Sequence, residues 1–233
     1  MDGSQPSDFF KIPEEDDGVV IRVARTLDDL QKVMMIRALV YMAEQDCPYE
    51  EEYDGNDFCG ATHLIAELYG EPVGTLRIRW FAGFAKLERV TMLPRERSGR
   101  ITRKMIKYGY EVIRRKGYQR VLGHIQEHLK AYWKRFGLHH REHRAPFVFS
   151  DRAYLEVEGR FDLHPKALTM DTDALILDRP EGEWDKPGPL DRSVNRGSIE
   201  RSVQAASGRK SGHKTRQGED KQSDVQHSDL VVR

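Results

Sequence analysis

Five basic residues, Arg95, Arg97, Arg100, Arg103 and Lys104, crowd around one short loop that leads into a helical pattern. A loop that opens a helix presents unpaired backbone N–H groups, and the helix dipole adds partial positive charge, so phosphate groups are favoured there. The guanidinium groups would add charge-assisted contacts suited to a pyrophosphate or a phosphorylated ribose. The alternative is a solvated basic helix start, although Arg on a first helical turn opposes the dipole. His139, His140 and His143 are mixed with Arg141 and Arg144 and have no Cys among them, so no metal is expected there. The acidic run with Glu44, Glu50, Glu51, Glu52, Asp54 and Asp57 would draw in a cationic amine if it flanked an entrance; otherwise it is a solvated loop.

The elements that must position these groups follow from periodicity. Val19 to Ala24 reads as a strand, and Thr26-Leu27-Asp28-Asp29 offers an N-cap with acids in the first turn of a helix that reaches about Met42. His63 to Tyr69 and Val73 to Phe81 form a hairpin around Gly70-Glu71-Pro72. A strand from Lys86 to Leu93 ends at Pro94. In the helix after it, Ile101, Met105, Tyr108 and Val112 make the core stripe, and Gly117 supplies the stop. Gln119 to Ile125 is a further strand and Glu127 to Phe136 a short helix, giving a crossover unit with parallel pairing. Phe147 to Ser150, Tyr154 to Val157 and Ala167 to Leu177 supply the remaining β material. The expected fold class is α/β (α+β): a mixed central sheet, antiparallel in its N-terminal half, with a βαβ crossover and flanking helices.

Composition bounds the rest. The chain has 233 residues, 38% of them hydrophobic, enough for one core. A polar lead-in (1–18), one domain (19–178), a segment that packs on it through Trp184 (179–190) and a disordered tail (191–233) are expected. Lys plus Arg and Asp plus Glu are 38 each, which points to neither nucleic acid nor a membrane surface as partner. Cys47 and Cys59 lack a CxxC or Cys/His spacing, and two cysteines in this length point to a reducing compartment, the cytoplasm. The acidic N-terminus has no signal pattern, and no apolar run approaches the ~20 residues that span a bilayer, so a soluble protein is expected.

Several strings then fall into a known order. Gly70-Glu71-Pro72-Val73-Gly74-Thr75-Leu76-Arg77, Lys86-Leu87-Glu88-Arg89-Val90, Arg97-Ser98-Gly99-Arg100-Ile101-Thr102, and Gln126 followed by Ala131 to Leu138 resemble the hairpin, fourth strand, pyrophosphate loop and late helix of the GCN5-related N-acetyltransferase superfamily. The resemblance implies an acyl-CoA N-acyltransferase fold with acetyl-CoA or another acyl-CoA as donor, no metal, and a small-molecule amine as acceptor. It implies that Val90, Thr91 and Met92 line the pantetheine arm, that Arg97, Ser98, Gly99, Arg100, Ile101 and Thr102 hold the pyrophosphate, and that Gln126 borders the cofactor. A backbone N–H near Val90 or Met92 would polarise the thioester carbonyl. The loop departs from the family pattern in carrying Arg100 and Thr102 where small residues stand, and Trp133 replaces the tyrosine that protonates the leaving thiolate. Tyr132 is adjacent on another helix face.

Glu88 is the first candidate for a base, because alternation would place it on one strand face with Val90 and Met92, where apolar neighbours raise a carboxyl pKa. The competing reading is a structural ion network with Arg77, Arg79 or Arg89. His124 and His128 are further proton acceptors or ordinary polar side chains. Glu52 to Asp57, His63 to Ile65, Gly74 to Arg77 and Glu88-Arg89 also resemble acyl-homoserine-lactone synthases of the same fold, which implies an acyl carrier protein as an alternative donor. The late β segments either cover their own sheet or pair with a second copy, which leaves a homodimer open.

Overall fold

In the computed structural model, which describes residues 17–97 and 99–195, eight strands form one sheet. They are β1 (Val19–Val23), β2 (Thr62–Leu68), β3 (Glu71–Phe81), β4 (Phe84–Met92), β5 (Arg120–Gln126), β6 (His139–His140), β7 (Phe147–Phe149) and β8 (Arg152–Arg160). The order is β1-β2-β3-β4-β5-β8-β6, with β7 paired to β8. Neighbours from β1 to β4 are antiparallel, and β4 runs parallel to β5. The helices are α1 (Leu27–Arg37), α2 (Tyr49–Glu52), α3 (Arg100–Arg115), α4 (Lys130–Lys134) and α5 (Ala174–Leu177). Helix α3 makes the crossover from β4 to β5. No helix among the described residues is long and apolar enough to cross a membrane.

Leu76 and Arg77 alternate on β3 and so serve opposite faces. On the Leu76 face, Gly109 of α3 lies against Leu64 and Leu76, where a Cβ would make ordinary van der Waals contact at 3.5 Å. On the Arg77 face, α1 starts from a capping box between Thr26 and Asp29, then widens into a π-helical turn at Ala38–Met42. Gly74 has its own steric reason: a Cβ there would sit 2.2 Å from the Met92 sulfur.

The structure departs from the sequence expectations in three places. Ala167 to Leu177 is not a strand. The Asp173 side chain caps Leu175 N at 2.9 Å and starts α5, while Thr169 and Thr172 close a turn, local bonds that compete with a ladder. Residues 139 and 140, outside every element expected from the sequence, form β6 against β8. Finally, Tyr108 is half-buried rather than a core residue, and α3 instead buries Ile106, Tyr110 and Ile113 along with Ile101, Met105 and Val112.

The reason for Tyr108 is a C-terminal strap. Its hydroxyl donates to Gly182 O at 3.3 Å, Trp184 is 7% exposed, and Arg115 and Lys116 pair with Asp185 and Glu181. The compact unit accordingly ends at Gly188. A separate 3-10 helix occupies Leu190–Asn195, across the expected start of the tail at 191; residues 196–233, residues 1–16 and Ser98 lie outside the described residues.

Beneath the centre of the sheet's Arg77 face lies a buried ion network. Arg37 and Arg77 are 0% and 1% exposed. Arg37 bonds Glu52 through Nε and Asp57 through Nη1 at 2.5 Å, and Arg77 bonds the same Asp57 at 2.7 Å, Asp54 at 2.6 Å and Glu88 at 2.8 Å. Burial opposes ionisation of Asp57, but Arg37 and Arg77 outweigh it and hold the carboxyl below its usual range. Burial pushes Glu52 the other way, above its usual range, against the pull of Arg89 and Arg37.

Two outcomes follow. Asp57→Ala leaves two buried guanidinium groups short of an anion and should cost about 3–5 kcal/mol in urea unfolding, whereas a cost below about 1 kcal/mol would mean the network carries little. The Asp57 contribution should be present above pH ~4 and lost as pH falls through its lowered value. Trp184→Ala should cost about 3–5 kcal/mol by the same measurement, if the strap is packed as part of the core.

Candidate active site

Pairing between β4 and β5 runs only from Ala85↔Val121 to Leu87↔Gly123. Past that point the strands part, since β5 continues with β8 through Gln126↔Tyr154 while β4 continues with β3 to Gly74↔Met92. A cavity of about 270 Å³ occupies the gap, lined by Lys86 to Val90 on one side and Gly123 to Gln126 on the other. The edge of β4 that faces this gap has no strand partner beyond Leu87 among the described residues.

The parting coincides with a bulge. Thr75 faces Thr91 and Arg77 faces Glu88, so the single residue Leu76 opposes both Arg89 and Val90. Arg89 has φ 52°, a left-handed conformation that costs a non-glycine residue of order 1–3 kcal/mol. It is retained because the side chain is tied down: Nη2 donates to Glu51 O at 2.7 Å, and Nε lies 3.0 Å from Glu52. Four of the five described non-glycine residues with positive φ, namely Asp46, Arg89, Ser150 and Asp151, lie in or next to the cavity wall. Strain concentrated at one cavity is a sign of function.

The bulge corrects the reading of Glu88. Across it the alternation shifts by one, so Glu88 shares its face with Thr91 and Arg77, not with Val90 and Met92. Its neighbours are also ionic rather than apolar. Burial pushes the Glu88 carboxyl up, but Lys86 at 2.6 Å and Arg77 at 2.7 Å outweigh burial and hold it below the usual range, not raised as expected. The group is an ionised member of the network that also borders the cavity.

His124 faces the same cavity from β5. Burial, with Lys86 adding repulsion, pushes its imidazole down to about 4, so the ring is neutral at ordinary pH. Gln126 also lines the gap, and its side-chain amide donates to the Tyr154 hydroxyl at 3.4 Å. Val90 lines it, whereas Thr91 and Met92 are both 5% exposed and do not. Tyr132 stays outside, packed against Phe136 and edge-on to Trp133, and it is Trp133 that reaches the cavity.

Sequence reasoning missed several lining groups. Tyr41, from the π-helical turn, donates its hydroxyl to Val90 O at 3.2 Å, and burial pushes its phenol well up, so it stays protonated. Cys47, Phe147, Phe149, Arg152 and Tyr154 come from segments distant in sequence. Only the alternation Phe147-Val148-Phe149 hinted at an aromatic wall. Among the described residues no group of three or more His, Cys, Asp or Glu is placed to hold a metal ion.

The basic loop stands at the start of α3. Gly99, with φ 79°, is the N-cap and supplies the left-handed turn one position before Arg100; no side chain caps the helix, so its first N–H groups are available to an acceptor. A Cβ at Gly99 would meet nothing within 4 Å, so the space over the loop is open. Arg100 and Lys104 both pair with Asp17, and Arg97 makes a fork on Glu44 at 2.6 and 2.5 Å while its Nε donates to Met92 O. Ile101 is buried in the core and Thr102 half-buried, so these two contribute backbone at this place. The anion-seeking groups fit a phosphorylated donor, with carboxylates now on Arg97, Arg100 and Lys104.

Residues 23–138 match the model of the acetyltransferase (GNAT) family. The uncharacterized N-acetyltransferase YjcF of Bacillus subtilis is 33% identical over 76 residues, 33% of this chain and about half (54%) of that protein. A second Bacillus subtilis protein is 27% identical over 111 residues, 47% of this chain and 76% of the other. Among solved structures, an acyl-CoA N-acyltransferase from Pseudomonas aeruginosa matches with a TM-score of 0.54 at 24% identity, covering 60% of this chain and 97% of its own. Escherichia coli ElaA matches at 0.55 and 18% identity, over 61% and 99%. The structural likenesses show the fold, and the match through residues 23–138 identifies that region as an acyltransferase of the GNAT family.

Proposed function

We propose that this chain transfers an acyl group, most simply acetyl from acetyl-CoA, to the amine of a small molecule by direct attack on the thioester. The observation that carries the reading is the unpartnered edge of β4 beside the bulge, continuous with an uncapped helix start. An extended pantetheine arm pairs with such an edge as an added strand does. Arg97, Arg100 and the N–H groups of the first turn of α3 would hold the phosphates, and Val90 and Gln126 would border the arm. Acyl-CoA, when bound, supplies the thioester: the N–C bond forms, the C–S bond breaks, and the proton lost by nitrogen balances the one gained by the thiol.

Within the chain, His124 is the proton acceptor we favour over Glu88. It is neutral, faces the cavity and has no carboxylate or guanidinium bonded to it, whereas Glu88 already accepts from Arg77 and Lys86. Backbone N–H groups at the bulge stabilise charge on the thioester oxygen. Tyr41 positions that strand through Val90 O. A second reading, an acyl carrier protein as donor, is favoured by the four exposed arginines Arg95, Arg97, Arg100 and Arg103 at the loop, which suit an acidic surface.

Calorimetry with acetyl-CoA and thiol release on an amine panel test the reading. Binding with thiol release supports it, and no binding of any CoA ester would sink it. Arg97→Ala should weaken CoA binding about tenfold or more by removing a charged hydrogen-bond donor. His124→Ala should lower kcat about 100-fold with little loss of stability. Because its proton affinity is already low, kcat/KM should fall through His124 only as pH drops towards 4; a histidine inflection near 6.5 would remove it from the role.

A further inference from the structure

Resting on the transferase reading, the chemistry of the cavity wall narrows the acceptor. The ionisable groups that border it are Lys86, Arg89 and Arg152 on the cationic side, Asp54 and Glu88 on the anionic side, and His124, Tyr41, Tyr154 and Cys47. The two carboxylates are already satisfied. Asp54 accepts two bonds from the buried Arg77, at 2.9 and 2.6 Å, and Glu88 accepts from Arg77 and lies 2.6 Å from Lys86. They offer an incoming cation little.

Of the cations, Lys86 is paired with Glu88, and Arg152 alone of the three has no carboxylate bonded to it among the described residues. Arg152, at the start of β8, lines the cavity and donates to a neutral carbonyl, Gln45 O, at 3.3 Å. Arg89 donates Nη2 to Glu51 O and is ion-paired with Glu52 at 3.0 Å and Asp54 at 3.5 Å, so its charge is already met. Its guanidinium lies over the rings of Phe149 at 5.4 Å and Tyr41 at 5.9 Å, a placement that keeps the planar fork fixed. Phe149 and Arg152 flank a hairpin turn in which Ser150 and Asp151 have φ 48° and 57°, values that Asn-Gly would adopt more cheaply. The turn places an aromatic ring and an arginine side by side on the cavity wall.

The same wall is apolar between its charges. Phe147 packs edge-on to His124 at 4.7 Å, and Phe147 and Phe149 each sit 5.9 Å from Tyr154. We infer that the acceptor is an α-amino acid with an apolar or aromatic side chain. Its carboxylate is held by Arg152, its body lies on Phe147, Phe149 and Tyr154, and its amine is presented to the thioester beside His124. Arg152 is then a specificity-determining residue, since carboxylate recognition by an arginine is worth about 10–100-fold in affinity.

The test compares acceptors that differ only in the carboxylate, L-phenylalanine against 2-phenylethylamine and L-leucine against 3-methylbutylamine, by thiol release from acetyl-CoA with the full chain. The wild type should prefer the carboxylated member of each pair by at least tenfold in kcat/KM. In Arg152→Gln that ratio should collapse towards one through KM, and Arg152→Lys should restore part of it. A wild-type ratio near one, or an Arg152→Gln variant that keeps the full preference, overturns the inference. Hydroxylamine, a small nucleophile without a carboxylate, separates the two levels: transfer to hydroxylamine with no carboxylate preference sinks the acceptor assignment and leaves the transferase standing. No CoA binding and no transfer to any nucleophile overturns both.

Discussion

The structure depends on one local event, the left-handed residue Arg89 in the middle of β4. It lets two residues of β4 oppose Leu76 alone, which bends the strand and frees its edge where β5 turns to β8. Without the bulge, continued parallel pairing would seal the sheet, and no cavity would reach the backbone of β4. Every group assigned a role in the chemistry is placed relative to this opening.

A left-handed arginine is unfavourable by itself, so something must hold it. The buried ions do so: Glu52 links Arg37 in α1 to Arg89 in β4, and Asp57 links Arg37 to Arg77 in β3. Such pairs contribute little net stability when intact, but each partner would be costly to leave alone. Their value here is geometric. They tie the first helix, the acidic segment and two central strands into one arrangement, so the bulge has a single conformation rather than a set of slipped registers. The cost of burying charge is met by the core on the other face, where α3 lies on Leu64 and Leu76 and the strap carrying Trp184 covers its flank.

Much of this was legible in the sequence, and the missing parts have physical causes. The hairpin at Gly70, the strand from Lys86, the Gly99 loop and the helix after it carry local signals: turn glycines, alternation and a 3.6-residue stripe. The family resemblance came from their order. The bulge carried no signal, because nothing local marks an arginine as left-handed; the partners that force it, Glu51 and Glu52, are more than thirty-five residues away. That one slip put Glu88 on the wrong face and gave it the wrong environment. Ala174 to Leu177 misled because a short apolar run fits strand and helix equally, and Asp173 decided it by capping. Tyr41, Phe149 and Arg152 became site residues only through tertiary packing.

The central claim is that the free edge of β4, from the bulge to Met92, together with the first turn of α3, receives the acyl donor. Amide hydrogen exchange with and without acetyl-CoA tests this most directly. The account predicts slowed exchange at Val90 and Met92 and at Arg100 to Thr102 when acetyl-CoA is present, with the β2–β3 ladder unchanged. Protection confined to another part of the chain, with these amides exchanging as before, would contradict it.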